Sequence, residues 1–216
     1  MVAAFSVYFD TGGTDNTPGA STDVDGLGAP NLRFKTNDNT TIDSVDPVPI
    51  PSSGTNYSYW KQIYLYCDTA PDTQVDNIKF YTDGGGFGTG ITLNVGDEFP
   101  THTNASNAGY EVATGTSGTT GDEVTANHAD VTGVTDAFTF TNGSPLSGPS
   151  ISEDSNIINA IGETTNYLVL QLAVTSTATP GNKSDETCTF QYDEIWVNNT
   201  KKYKHLNNIL TYNMYG

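Results

Sequence analysis

One run of eight residues, Tyr167-Leu168-Val169-Leu170-Gln171-Leu172-Ala173-Val174, constrains the fold more than any other stretch. Successive side chains of an extended chain point to opposite faces, so Leu168, Leu170, Leu172 and Val174 share one side. Val169 and Ala173 make the other side nearly as apolar. A strand apolar on both faces has to be covered on both, and the run is therefore expected at the centre of a sheet. A turn cluster with Pro180-Gly181 follows, and then residues 187–197, in which Cys188, Phe190 and Tyr192 share a face. The expectation is a hairpin of antiparallel neighbours at the heart of a β-sheet.

The same alternation marks residues 57–68, with Ile63, Leu65 and Cys67 on one face and Tyr64 and Tyr66 on the other. Residues 75–82 come after the turn Ala70-Pro71-Asp72 and are expected to pair with 57–68 as antiparallel partners. Shorter strands are expected at 5–9, 31–35, 91–95 and 137–140. The one plausible helix spans 152–159, with Ser152 as cap and Glu153 and Asp154 in its first turn. Residues 10–30 offer almost nothing to bury, and such a segment is either mobile or fixed by a partner. The fold class is all-β: an antiparallel β-sandwich, jelly-roll or immunoglobulin-like, with long Gly/Thr-rich loops and extended terminal arms. The organisation expected is an N-terminal arm and acidic loop over 1–44, a sandwich over 45–200 with an insertion at about 99–133, and a C-terminal arm over 201–216. The insertion reads as an elaborated loop or a small projecting sub-domain.

Charge narrows the partners. Against 8 Lys and Arg stand 25 Asp and Glu, a net charge of −17, which repels nucleic-acid backbones and acidic lipid surfaces. Neither nucleic acid nor a membrane is expected as a partner. The start of the chain has no basic segment followed by an apolar core, so no secretory signal is read there. No run approaches the roughly 18 apolar residues of a membrane span. Cys67 and Cys188 fall on inward faces and are expected as free buried thiols, since two cysteines do not make a disulfide framework.

Several motifs invite chemistry. Asp10-Thr11-Gly12 is the tripeptide of aspartic proteases, in which two aspartates share a proton. No second copy occurs in the chain, and Asp, Thr and Gly are ordinary turn formers, so the turn is the better reading. Asp10, Asp15, Asp23 and Asp25 gather carboxylates that could hold a structural Ca²⁺, or form a solvated acidic loop; no other cofactor is expected. Residues 83–90 are glycine-rich, lack a Gly-Lys-Ser/Thr ending, and are read as a wide hairpin loop. His102, His128 and His205 have no zinc-ligand spacing. Tyr57, Tyr59 and Trp60, with Tyr64 and Tyr66, form an aromatic cluster that is either a sugar platform or a packing face. No catalytic constellation emerges, and the chain reads as non-enzymatic.

Several segments carry a likeness of style and order. They are Pro49-Ile50-Pro51 with Gly54 and Tyr57-Ser58-Tyr59-Trp60-Lys61, then Asp76-Asn77-Ile78-Lys79-Phe80-Tyr81, then 169–174 with Ala178 and Pro180-Gly181, and Phe190-Gln191-Tyr192-Asp193-Glu194. In these the chain resembles virion structural proteins of tailed phages and related archaeal viruses. The resemblance implies a bacteriophage-type head-decoration, cement or minor capsid protein: a non-enzymatic subunit of the virion, bound in many copies to viral capsid or tail subunits and to copies of itself. In that picture the ends are arms that pair with neighbours by strand addition, through Phe5, Val7 and Phe9 at one end and Lys201, Lys202, Tyr203, Lys204 and Leu206 at the other. The alternative is a carbohydrate-binding or adhesin-like module using Tyr57, Tyr59 and Trp60.

Overall fold

The computed structural model describes residues 2–24, 32–39, 41, 45–103, 105–147, 157–181, 183–197 and 203–215, the last segment and residue 197 through their backbone. The apolar run forms β12 (Leu168–Thr175). Its position is central, as two apolar faces require. Along one edge it pairs with β5 (Lys61–Thr69) and then β4 (Thr55–Tyr57), and along the other with β7 (Ile91–Gly96). Beyond β5 lie β1 (Ala4–Thr14) and β2 (Thr17–Asp23); β10 (Val134–Asp136) lies beyond β7. The short β8 (Gly115–Thr116) and β9 (Thr120–Gly121) extend the sheet past β4.

The second sheet is built on β6 (Gln74–Thr82), β13 (Glu186–Val197) and β14 (Tyr203–Tyr215). β11 (Leu146–Ser147) flanks β6, and β3 (Leu32–Arg33) runs parallel to the end of β14. With 47% strand and 4% helix, the chain is an all-β sandwich of antiparallel sheets packed on each other. Phe5, Val7, Phe9, Ile63, Leu65, Leu93 and Leu170 of the first sheet share one core with Val75, Ile78, Phe80, Phe190 and Tyr192 of the second. Cys67 and Cys188 are buried in this core as free thiols, and burial pushes the Cys67 thiol up to about 11.

Neither hairpin expected from turn chemistry forms. The partners β5 and β6 lie in different sheets, and so do β12 and β13. The turns reverse the chain across the sandwich, because Ile63, Leu65 and Leu170 then meet Phe80 and Phe190 face to face instead of lying side by side. Residues 83–90 likewise join β6 to β7 across the sheets. The segment after Phe9 is no free loop: β1 continues to Thr14 and returns through Asp15-Asn16 as β2. Asn16 takes the turn's left-handed conformation at φ 61°, which Asn tolerates better than most residues. Gly13 is required here, since a Cβ on it would meet the Thr17 carbonyl oxygen at 2.2 Å. Residues 137–140 do not resume the sheet. Ala137–Thr139 is a 3₁₀ turn, with the Asp136 side chain accepting from the Phe138 N–H. The expected helix falls largely outside the described residues, and Ile158 at its end forms an antiparallel bridge with Val75.

The insertion does not project. It lies over the outer face of the larger sheet, where Trp60 and Val169 pack with Ala113, Val124 and Val131, and Tyr64 and Tyr167 pack with Tyr110. Two buried glutamines tie it down. Gln171 donates to the carbonyls of Ser58 (2.9 Å) and Asp122 (2.7 Å) and accepts from the Val124 N–H (2.9 Å). Gln62 donates to the Gly109 carbonyl and accepts from the Glu111 N–H, both at 2.9 Å. Buried side-chain amides aimed at otherwise unpaired backbone groups fix an irregular segment as firmly as a ladder would.

Candidate functional site

Asp10 sits on the outer face of β1 and is 3% exposed. Its Oδ1 accepts from the Ser21 hydroxyl at 2.5 Å and from the Tyr64 hydroxyl at 3.4 Å, and its Oδ2 accepts from the Tyr167 hydroxyl at 2.5 Å. Burial raises its pKa above the ordinary carboxylate value, with the three hydroxyls pulling the other way. The aspartate of the Asp-Thr-Gly tripeptide is thus a staple between the β1–β2 hairpin and the tyrosine cluster. Tyr110 extends that staple by donating to the Gly12 carbonyl at 2.7 Å.

Of the four aspartates proposed for Ca²⁺, the three that are described, Asp10, Asp15 and Asp23, lie apart along the hairpin. Asp10 is occupied as described, Asp15 sits at the hairpin turn with Oδ1 accepting from the Val112 N–H, and Asp23 lies at the far end of β2 opposite Tyr8. Asp25 lies outside the described residues. Among the described residues no group of three or more His, Cys, Asp or Glu side chains has metal-binding geometry. A hairpin strings carboxylates along its length, whereas a coordinating loop would have folded them inward.

A different pair is brought together. Lys61, 1% exposed, places Nζ 3.2 Å from Oδ1 of Asp38, and Oδ2 of Asp38 accepts from the Gly12 N–H at 2.6 Å. Burial holds the Lys61 ammonium below its usual range while Asp38 pulls it back up. Lys61 is in phase with Ile63, Leu65 and Cys67, so a cation on the core face was visible in the alternation. Its partner, 23 residues away, was not. A buried pair of this kind is costly to break and cheap to replace. Asp38→Ala and Lys61→Met each strand the other buried charge and are expected to destabilise by about 3–5 kcal/mol, whereas Asp38→Asn with Lys61→Met, which removes both charges and keeps an acceptor for the Gly12 N–H, should cost much less; urea titration of the three variants measures the difference.

His102 lies between the rings of Tyr64 and Tyr167, at centroid distances of 4.1 and 4.5 Å, with Nδ1 2.7 Å from the Thr164 hydroxyl. Burial pushes its pKa from 6.5 down to about 4. Between those values the unfolded chain binds a proton that the folded chain refuses. Its contribution is therefore full above pH 6.5 and lost as the pH falls towards about 4. The loss amounts to about 3 kcal/mol. His102→Gln should narrow the gap in urea midpoint between pH 7 and pH 4.5, and an unchanged gap would place the acid sensitivity elsewhere.

The aromatic platform and the N-terminal arm are not where the sequence reading put them. Trp60 is 2% exposed under the insertion, with Nε1 donating to the Glu111 carbonyl, and Tyr59 is buried beside it; only Tyr57 is part-exposed. Phe5, Val7 and Phe9 are core residues of β1, which pairs with β5 from Ala4 to Asp10 and with β2 from Tyr8 onward, so their side chains are turned into the sandwich and are not carried on a free arm. At the other terminus Lys201 and Lys202 lie outside the described residues. Tyr203, Lys204 and Leu206 are no free arm either: their backbone pairs with Val197, Trp196 and Glu194 at the start of β14.

The shorter outer edges of β2, β10 and β11 end their sheets, but among the described residues the longest edge left unpaired is the far edge of β14. Beyond Met214 and Tyr215, which pair with β3, no described residue pairs with that edge. Where β3 ends, Arg33 forms part of the wall of an apolar groove of about 420 Å³, together with Val48, Ile50, Ile91, Val174 and Lys183. Arg33 thus belongs both to the strand that caps the end of β14 and to the wall of the groove. No protein-family model matches the chain, and no curated protein matches it. The chemistry of this surface is accordingly the basis for assigning a role. Two of the chain's eight cations border its apolar part, on a molecule whose net charge is −17.

Proposed function

We propose that the chain is a non-enzymatic structural subunit of a viral particle, a head-decoration or minor capsid protein carried by the virion in many copies. The observations that carry this reading are the edge of β14, with which no described residue pairs before Met214, and the apolar groove that Arg33 of β3 helps to wall. A long strand edge left open is a template for another strand, which monomeric proteins blunt with charge, bulges or covering loops. Addition of a strand from an adjacent lattice subunit would satisfy its N–H and C=O groups. The groove then receives an apolar segment flanked by carboxylates, which Lys183 and Arg33 attract. The acidic remainder of the surface discourages attachment anywhere else. Contact through a folded edge replaces the flexible arms expected from the sequence.

The groove can be tested without disturbing the fold, because Ile50 is 36% exposed and Lys183 stands on a surface loop. Ile50→Asp with Lys183→Glu should leave the thermal transition in place and weaken co-sedimentation with particles at least about tenfold, the effect of roughly 1.4 kcal/mol. Full binding by the double variant would remove the groove from the interface.

A further inference from the structure

We infer that the outer face of the larger sheet carries a binding cleft for a neutral saccharide, at a place distinct from both the Trp60 platform and the assembly surface. The cleft, about 350 Å³, is lined by Tyr64, Tyr66, His102, Thr103, Asn107 and Thr164 together with Gly162. That volume lies in the range of small-molecule sites, which run from about 300 to 1,000 Å³. It lies by the Leu168 end of β12, whereas Val174 of the groove lies at the opposite end of the strand. Its fate in an experiment is thus separable from that of the lattice contact.

Three properties of the cleft select the ligand. First, its wall is aromatic: Tyr66 is half-buried, Tyr8 stands edge-on to it at 5.7 Å, and Tyr64 stacks with Tyr8 at 6.0 Å. Braced rings of this kind offer an apolar face to the C–H side of a sugar at small entropic cost. Secondly, the part-exposed lining groups beside Tyr66 are a hydroxyl and an amide, Thr103 and Asn107, which supply both donors and acceptors, while the buried Thr164 hydroxyl is committed to His102. Thirdly, none of the lining side chains is an Asp, Glu, Lys or Arg, although the chain carries 33 such residues, the sum of its 8 basic and 25 acidic ones. His102 does not alter this, because it is buried against Tyr64 and Tyr167. An uncharged polar cleft with an aromatic wall, set in a strongly acidic surface, fits a polyhydroxylated ligand without phosphate, sulfate or carboxylate.

The rigidity of the site comes from the fold beneath it. Tyr66 forms an antiparallel bridge with Thr164, the Thr164 hydroxyl donates to the His102 carbonyl, and the Thr103 and Ser106 backbones pair with each other across the facing loop. The rim residues Tyr66 and Asn107 are part-exposed, so they can be changed while the buried tyrosines are left alone.

The test is a glycan array containing neutral and anionic glycans, probed with the wild-type chain and with Tyr66→Ala and Asn107→Ala, each checked for an unchanged thermal transition. Wild type should bind a subset of neutral glycans, and each variant should bind them about tenfold more weakly. Amide resonances of Asn107 and Gly162 should shift when the best glycan is titrated. Three outcomes would overturn the inference: no neutral glycan bound above background, a preference for anionic glycans, or neutral binding that both folded variants retain.

Discussion

Removal of residues 201–216 is expected to unfold the protein, and so to do more than detach it from a partner. β14 pairs with β13 at twelve successive positions, from Val197↔Tyr203 to Glu186↔Met214. Each backbone hydrogen bond contributes a net 0.5–1.5 kcal/mol or so, and a domain of this size is stable by only about 5–15 kcal/mol. Losing a ladder of this length removes an amount comparable with the whole. β13 would be left as an open edge carrying buried Cys188, Phe190 and Tyr192, the kind of apolar strand that aggregates. The truncated chain should be recovered mostly insoluble, or show no cooperative urea transition. A soluble truncated protein with the wild-type midpoint would mean that β14 is an arm after all, as the basic and aromatic composition of the terminus first indicated.

The second large effect is expected at Gln171. Replacement by Leu keeps the size and removes the amide that holds the insertion, leaving the carbonyls of Ser58 and Asp122 and the Val124 N–H without these partners. A buried backbone group deprived of its partner costs about 1–3 kcal/mol, so the loss of three such partners in Gln171→Leu should cost about 3–9 kcal/mol. Hydrogen exchange should locate the damage. Amides of residues 109–131 are expected to lose protection first, while those of β6 and β13 keep it. Uniform loss of protection, or a Leu variant as stable as wild type, would contradict the anchoring role. Leu at this position is a severe test because every neighbour of Gln171 in the strand is apolar, and simple hydrophobicity would favour the change.

Gln171 also marks the limit of what alternation could tell. The burial of both faces of β12 followed from Leu168, Leu170, Leu172, Val169 and Ala173, and the sandwich from the several strands patterned in the same way. The identity of the cover over the second face did not. It depends on a Gly/Thr-rich insertion with few apolar residues of its own, held by glutamine amides whose partners are backbone atoms. A lone Gln inside an apolar strand was the available signal. Strand pairing failed for a related reason. Pro180-Gly181 and Ala70-Pro71-Asp72 fix that the chain turns back, but whether the returning strand lies beside its predecessor or opposite it depends on which apolar faces meet. Facing sheets bury Phe80 and Phe190 against Leu65 and Leu170, and a side-by-side hairpin does not.

The candidate sites divide along the same line. Trp60 and Asp10 drew attention because aromatic residues and Asp-Thr-Gly have known uses, yet both are consumed by packing, with their polar atoms satisfied inside the chain. Arg33, Lys183 and Ile50 were not read as one site, since they meet only when β3, the loop after β12 and the proline-rich segment converge. His102 and Tyr66 likewise belong to segments 36 residues apart in the chain, and a spacing of that kind has no signature in a single sequence.

Cryo-electron microscopy of the particle that carries this chain tests the central claim most directly. The account predicts density for the sandwich repeated at fixed lattice positions, with the edge of β14 and the Arg33–Lys183 groove in contact with a neighbouring subunit and the Tyr66 cleft facing away from it. Density absent from the lattice, or present with the β14 edge and the groove both turned to solvent, would contradict it.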